Sequence, residues 1–75
     1  MKSVSRALFA IEKTRQLGRM SVALLSQAPG WDKASASRYL AFLSRDEWLE
    51  RVNKKGHPIY VLGRKALAFS DMLRF

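Results

Sequence analysis

The chain has 75 residues, with 14 lysines and arginines against 6 aspartates and glutamates, which gives a formal net charge of +8. Its length leaves room for one domain, so residues 1–75 are predicted to form a single unit. The absence of cysteine excludes thiolate zinc sites and thiol chemistry, and it suits a reducing compartment, for which the cytoplasm is the expected location.

The high positive charge predicts a polyanionic partner. DNA and RNA are the leading candidates, because neutralising phosphates releases condensed counterions. An anionic membrane surface, an acidic protein or solubility alone are the alternatives. The apolar stretch near the N-terminus is short and is followed by Glu12, Lys13 and Arg15, so neither an export signal nor a membrane span is expected.

The first predicted helix runs from Ser3 to about Leu17, with Ser3 as its N-cap and Gly18 after its end. Phe9 lies off the apolar stripe of this helix, which puts it either at a partly buried edge or in an intermolecular contact. The residues expected to form the buried stripe are Val4, Ala7, Leu8 and Ile11.

Two further helices are predicted after Gly18. The second begins after an N-cap at Ser21 and is broken by Pro29 and Gly30. The third begins after an N-cap at Asp32 and continues to about Arg45. Two short helices joined by a turn that contains glycine are the outline of a helix-turn-helix, and the first helix completes a three-helix core. The inward face of the third helix is expected to be Ala36, Leu40 and Leu43.

The pattern becomes extended after Trp48. Residues 49–52 and 59–62 are predicted strands, and the polar residues 53–58 between them form a turn, called the wing tip below. After Gly63 the chain returns to helical spacing over residues 64–75. The predicted fold is mainly α with a small β-hairpin, a winged helix-turn-helix with a three-helix core, a wing and a C-terminal helix. Leu49, Val52, Ile59 and Val61 of the hairpin are expected to cover the open side of the helical core. In the last helix, one face is expected to carry Ala66, Phe69, Ser70 and Leu73.

The outward side of the third helix carries small and basic residues, which is the pattern of a helix that enters the major groove of DNA. Short side chains allow close approach, hydroxyls bond base edges or phosphates, and an arginine binds guanine through two hydrogen bonds. Arg38 is the first candidate for such a contact. The alternative is a merely solvated helix in which Arg38 pairs with a carboxylate such as Asp46 or Glu12. The residues of this outward side are Ala34, Ser37, Arg38, Ala41 and Arg45, flanked by Lys33 and Ser35.

The wing tip adds a second basic feature, because its long cations could reach the DNA backbone or the minor groove. A charged turn also keeps a hairpin soluble, and this is the alternative interpretation. Arg19 and Ser21, at the start of the second helix, are expected to hold a phosphate. The candidate DNA-binding residues are Arg19, Ser21, Lys33, Ala34, Ser35, Ser37, Arg38, Lys54, Lys55 and His57.

Residues 29–43, followed by Tyr60-Val61-Leu62-Gly63 and preceded by the opening residues 3–8, resemble the DNA-binding domain of IclR-type regulators. The resemblance spans about residues 3–70 and implies a bacterial or phage transcription regulator. It also implies a dimer whose first and last helices join the subunits. Family members carry a further ligand-sensing domain, so the chain is expected to be either a fragment or a stand-alone binder.

One departure from the family concerns the end of the third helix. The family usually has a glycine there, which suits a tight left-handed turn, whereas this chain has Glu47 before Trp48. Another kind of cap, formed by Asp46 or Glu47, is therefore expected.

Other function classes are less compatible with the sequence. An enzyme is not expected, because the single histidine, His57, is on a turn and the carboxylates are scattered, and neither a cofactor nor a metal is expected. RNA binding is disfavoured because the aromatic residues form no evident stacking platform. The main alternative is a winged helix that contacts another protein. The residues that would serve it are Phe9, Tyr39, Phe42, Met72 and Phe75.

Overall fold

A computed structural model describes residues 2–72, with the side chains of residues 5–69. Within this range the chain is mainly helical with a small antiparallel sheet, and it has no helix long and apolar enough to cross a membrane. In chain order the elements are α1 (Lys2–Leu17), β1 (Met20–Ser21), α2 (Val22–Ser26), α3 (Lys33–Arg45), β2 (Leu49–Arg51), β3 (Ile59–Leu62) and α4 (Arg64–Met72).

The sheet has three strands in the order β1-β3-β2, and both pairings are antiparallel. The pairing of β2 with β3 is the predicted hairpin. The pairing of β1 with β3 was not predicted, since two residues are too few to show the alternating pattern of a paired strand. It makes β3 the central strand, in which Tyr60 lies opposite both Met20 and Arg51.

The core lies between α1, α2, α3 and the inner face of the sheet. The predicted inward residues of α3 are all buried, which confirms the phase of this helix. Thr14 of α1 is fully buried as well, and its hydroxyl donates to the Ala10 carbonyl oxygen at 2.7 Å. The buried hydrophobic cluster consists of Ala10, Met20, Leu25, Ala36, Leu40, Leu43, Leu49 and Tyr60.

The predicted buried stripe of α1 is partly wrong. Leu8 is 59% exposed, and the helix instead buries Ala10 and Thr14. The Thr14 hydroxyl is satisfied by a carbonyl of its own helix, so the side chain can be buried without an unpaired polar group. A prediction that places only apolar residues in the core therefore misses it. The helix begins at Lys2, so Ser3 lies within it and is not its N-cap. The side chain of Val4 lies outside the described residues.

The core-facing side of the hairpin also differs from the prediction. Tyr60 is buried, whereas Ile59 and Val61 are only partly buried, and Val52 follows the end of β2 and is 54% exposed. Every residue of β3 is apolar, so its sequence has no alternation from which to choose a face. The register decides it, because Tyr60 lies opposite Met20, which is buried.

Two helix predictions need smaller corrections. Helix α2 ends at Ser26 with Gln27 as its C-cap, before the expected break at Pro29 and Gly30. In α4, the predicted common face of Ala66 and Phe69 is only partly covered, since Ala66 is buried and Phe69 is 53% exposed. The side chains of Ser70 and Leu73, predicted on the same face, lie outside the described residues, as do those of Met72 and Phe75, which were named for contact with another protein.

The left-handed turn that Glu47 put in doubt is present at the end of α3. Glu47 has φ of +67°, although it is not glycine. The amide of Trp48 donates to the Leu43 carbonyl at 2.9 Å, and the amide of Glu47 donates to the Ser44 carbonyl at 3.2 Å. These are the two hydrogen bonds of a Schellman cap. The expectation of a different kind of cap was therefore wrong. The carboxylate of Glu47 also pairs with the Arg64 guanidinium at 2.9 Å.

Gly63 packs against this turn and joins three elements. Its amide donates to the Trp48 carbonyl at 2.9 Å, and the next helix begins at Arg64. A Cβ atom at Gly63 would lie against the Glu47 carbonyl oxygen and 2.9 Å from the Leu49 amide nitrogen. The close approach of the end of α3, the start of β2 and the start of α4 therefore requires a glycine here.

We predict that Gly63→Ala destabilises the fold by about 3 kcal/mol, because the new methyl group meets backbone atoms that have no room to move. Gly18→Ala is the matched control, since Gly18 has φ of +80° but open space around it. That control should lose only about 1–2 kcal/mol, from the left-handed conformation alone. Urea unfolding measures both changes, and an equal or smaller loss for Gly63→Ala would contradict the steric argument.

Candidate nucleic-acid interface

The outer face of α3 comprises Lys33, Ala34, Ser37, Arg38, Ala41 and Arg45, and all six residues are exposed. This exposure follows from the burial of Ala36, Leu40 and Leu43 on the opposite side of the helix. Three of the six side chains are Ala or Ser, so the helix backbone is close to solvent along this face. Ser35, also a candidate, is only partly buried and lies at the edge of the face.

The start of α3 is capped by Asp32, as the sequence predicts. A carboxylate oxygen of Asp32 accepts from the Ser35 amide at 2.7 Å. Hydrogen bonds from the amide and hydroxyl of Ser35 lower the pKa of the Asp32 carboxyl, and the positive charges of Arg38 and Arg6 lower it further. The first turn of the helix is thus held in place by a charged cap, and Ser35 has part of its hydrogen-bonding capacity committed to that cap.

Arg38 forms neither of the ion pairs that the alternative interpretation named as examples. The Glu12 carboxylate binds Arg15 on the same helix, and the Asp46 carboxylate lies 3.5 Å from the Lys65 ammonium. Among the side chains of residues 5–69, Arg38 has no carboxylate within ion-pair distance. Its guanidinium group is therefore exposed and available to a ligand.

The wing tip is organised by one side chain that was not among the predicted site residues. The amide group of Asn53 donates to the carbonyls of Lys55 at 3.0 Å and His57 at 2.7 Å, and its oxygen accepts from the Ile59 amide at 2.9 Å. Arg51 also donates to the Gly56 carbonyl at 3.3 Å. Asparagine is common in turns because it bonds nearby backbone, and this preference could have identified its role. Lys54 and Lys55 are both exposed on this ordered loop.

The structure brings together three candidates from two separate segments. Arg19 and Ser21, at the start of α2, line one shallow depression with His57 of the wing tip. The Ser21 hydroxyl oxygen accepts from the Leu24 amide at 3.2 Å, so it acts as the predicted N-cap. Arg19 and His57 are the exposed polar groups beside it.

Charges are unevenly distributed among the described side chains. Asp46 and Glu47 follow α3 and are engaged by Lys65 and Arg64 of α4. By contrast, the cations of the outer face of α3 and of the wing tip have no ion-pair partner within residues 5–69. The segments that carry the candidate residues therefore hold exposed cations without ion-pair partners, which favours the approach of a polyanion.

An aromatic group supports the start of α3 from the side of α1. The ring of Trp31 stacks on Phe9 at 6.0 Å between centroids, and it meets the edge of Tyr39 at 5.3 Å. Phe9 is 36% exposed, so its ring is covered in part by Trp31 and in part open to solvent. The guanidinium of Arg6, which was not predicted as a functional residue, lies 4.6 Å from the centre of the Trp31 ring.

An apolar groove separates α1 from α4, on a different part of the surface from the outer face of α3. Its volume is about 600 Å³, and Leu43 and Trp48 lie at its base. Leu8, Phe42 and Phe69, which line it, are each more than half exposed. Both helices that were expected to join subunits therefore border one apolar surface, together with Phe42 of α3.

Comparisons of the chain with models of protein families, with curated proteins and with solved structures found no match. The interpretation of the site therefore depends on its residues and their geometry.

We predict that acid weakens the cap of α3 through Asp32. Its pKa is lowered by folding, so its stabilising effect is present above the ordinary pKa of an aspartate and is lost as the pH falls through the lowered value. Asp32→Asn is the matched control, since asparagine caps a helix without a charge at every pH. In urea unfolding from neutral to strongly acidic pH, the wild type should lose stability relative to Asp32→Asn. A constant difference over that range would rule out the linkage.

Proposed function

We propose that this chain is a winged helix-turn-helix domain that binds double-stranded DNA and regulates transcription, as the IclR-type regulators that it resembles do. The observation that carries the proposal is the outer face of α3, where short side chains surround an exposed arginine without an ion-pair partner in the described chain. In this proposal α2, residues 27–32 and α3 are the helix-turn-helix, and β2 and β3 with the wing tip are the wing.

The proposed base contacts come from α3. The exposed residues Ala34 and Ser37 let the helix backbone approach the floor of the major groove, where an alanine contacts a thymine methyl group and a serine bonds a base edge. Arg38 binds the O6 and N7 atoms of a guanine through its two-pronged guanidinium group. Lys33 and Ser35, at the start of the helix, contact either a base edge or the adjacent phosphate.

The proposed phosphate contacts come from the wing tip and the start of α2. Lys54 and Lys55 project from a loop that Asn53 holds in one conformation, so little loop entropy is lost when they bind. Arg19, Ser21 and His57 border one depression, which suits a single phosphate of the flanking backbone. Such contacts raise affinity for every sequence and depend strongly on salt.

The second copy of this chain is the proposed occupant of the apolar groove. The same surface offers a hollow and the protruding side chains Leu8, Phe42 and Phe69, which is what a two-fold interface between identical subunits requires. A two-fold dimer would read a palindromic operator with half-sites about one or two helical turns apart.

The decisive test is selection of bound duplexes from a random pool at near-physiological salt, followed by affinity measurements on the enriched duplex and on a random one. We expect Arg38→Ala to weaken the enriched duplex by roughly 1–3 kcal/mol with little change on the random duplex. Lys54→Ala and Lys55→Ala should each weaken both duplexes and reduce the slope of affinity against salt by about one.

Lys65→Ala is the control for loss of charge, because Lys65 pairs with Asp46 away from the candidate residues. It should change neither affinity by more than the small effect of net charge. If Arg38→Ala left both affinities intact, α3 would not be the reading helix. If no duplex were enriched, the winged helix would be assigned to contact with another protein, through the apolar groove.

The dimer has its own test in analytical sedimentation of the free protein. We expect the wild type to associate at micromolar concentration and Leu8→Lys to remain monomeric, since a charge would enter the apolar interface. Leu17→Lys is the matched control, because Leu17 is 54% exposed on the same helix but does not line the groove. A wild-type protein that sediments only as a monomer would remove the dimer from the proposal.

A further inference from the structure

Arg6 connects α1 to the turn before α3 through several contacts at once. Its guanidinium donates to the carbonyl oxygen of Gly30, which is 24 residues away in the chain. The same group lies 4.6 Å from the centre of the Trp31 ring and 5.9 Å from that of Tyr39. It is also close enough to Asp32 for its charge to lower the pKa of that carboxyl.

We propose that Arg6 is a positioning residue that fixes the start of α3 against α1, and thereby sets the place of the outer face of α3 on DNA. Its importance for binding rests on the proposed function. In this role Arg6 touches no base and no phosphate; it acts through Trp31 and the residues that follow.

The contacts of Trp31 explain how one side chain of α1 could control α3. Trp31 directly precedes the cap residue Asp32, and its ring lies between Phe9 of α1 and Tyr39 of α3. Tyr39 is next to Arg38 in the helix, so a shift of the Trp31 ring would be transmitted both to the first turn and to the neighbourhood of Arg38. Gly30 has φ of +82°, and its carbonyl is held in this turn by the Arg6 hydrogen bond.

The contacts require a guanidinium group and not merely a positive charge. A planar guanidinium stacks on an aromatic ring while its N–H groups donate in the plane, whereas an ammonium on a lysine stem has no such plane. Arg6→Lys therefore keeps the charge near Asp32 but loses the combination of stacking and hydrogen bonding. This difference separates positioning from a direct phosphate contact, which a lysine would also make.

The experiment compares Arg6→Ala, Arg6→Lys and Lys65→Ala on the enriched and random duplexes, well below the unfolding temperature of each variant. Both Arg6 variants lose the contact with the Trp31 ring together with the hydrogen bond to the Gly30 carbonyl. This loss should weaken binding to the enriched duplex on the order of tenfold. Binding of Arg6→Lys to the random duplex, and its salt slope, should stay at the wild-type level. A purely structural role would lower the unfolding temperature and leave the ratio of the two affinities unchanged, which would overturn the proposal.

Retention of wild-type affinity for the enriched duplex by Arg6→Lys would also overturn it, in favour of a contact that needs only charge. A second measurement is independent of DNA. The amide of Ala36, which donates to the Asp32 carbonyl at 2.9 Å, should exchange its hydrogen on the order of tenfold faster in both Arg6 variants. The amide of the buried residue Leu43 is the internal reference and should not change.

The amide measurement distinguishes failure of this proposal from failure of the proposed function. If no duplex is enriched but the Ala36 amide exchanges its hydrogen faster in both Arg6 variants, the proposal of DNA binding fails while the positioning of α3 by Arg6 stands. If the Ala36 amide is unaffected, Arg6 does not fix the start of α3, whatever the DNA experiments give.

Discussion

The complete burial of one face of α3 is the constraint on which the other elements depend. Ala36, Leu40 and Leu43 pack among residues of α1, α2 and the sheet, and each has an exposure of 1% or less. Since this side of the helix is fixed in the core, its opposite side must face solvent. The same packing therefore stabilises the domain and presents the outer face of α3, so the candidate site is placed by core residues that no ligand would touch.

The two ends of α3 are held in different ways, and both affect the candidate site. At its start, the Asp32 cap and the aromatic group around Trp31 fix the first turn, where Lys33 and Ala34 lie. At its end, the Schellman cap at Glu47 turns the chain directly into β2 and so sets the direction of the hairpin. The wing tip is ordered in turn by Asn53. Residues without a proposed DNA contact thus organise those that have one.

Much of this arrangement follows from local sequence signals. The caps at Ser21 and Asp32, the buried face of α3 and the two hairpin strands were predictable, because each depends on residues a few positions apart. The buried face of α1 was not predictable in full, because it includes the polar residue Thr14, whose hydroxyl is hydrogen-bonded within its own helix. Contacts between residues far apart in the chain, such as Arg6 with Gly30 and Glu47 with Arg64, were not predictable either, because no local pattern signals them. Of the candidate site, the exposure of α3 was predictable and its supporting contacts were not.

The junction at Gly63 has a consequence for how the domain could be divided. The carbonyls of Glu47 and Trp48 accept the amides of Lys65 and Gly63, so the backbone at the end of α3 is completed by residues that come after the hairpin. A shortened chain that stopped at Leu62 would leave both acceptors unpaired beside the core. The segment from α2 to β2 is therefore completed by the first turn of α4, and grafting that segment onto another scaffold would require Gly63 and Lys65 to be transferred with it.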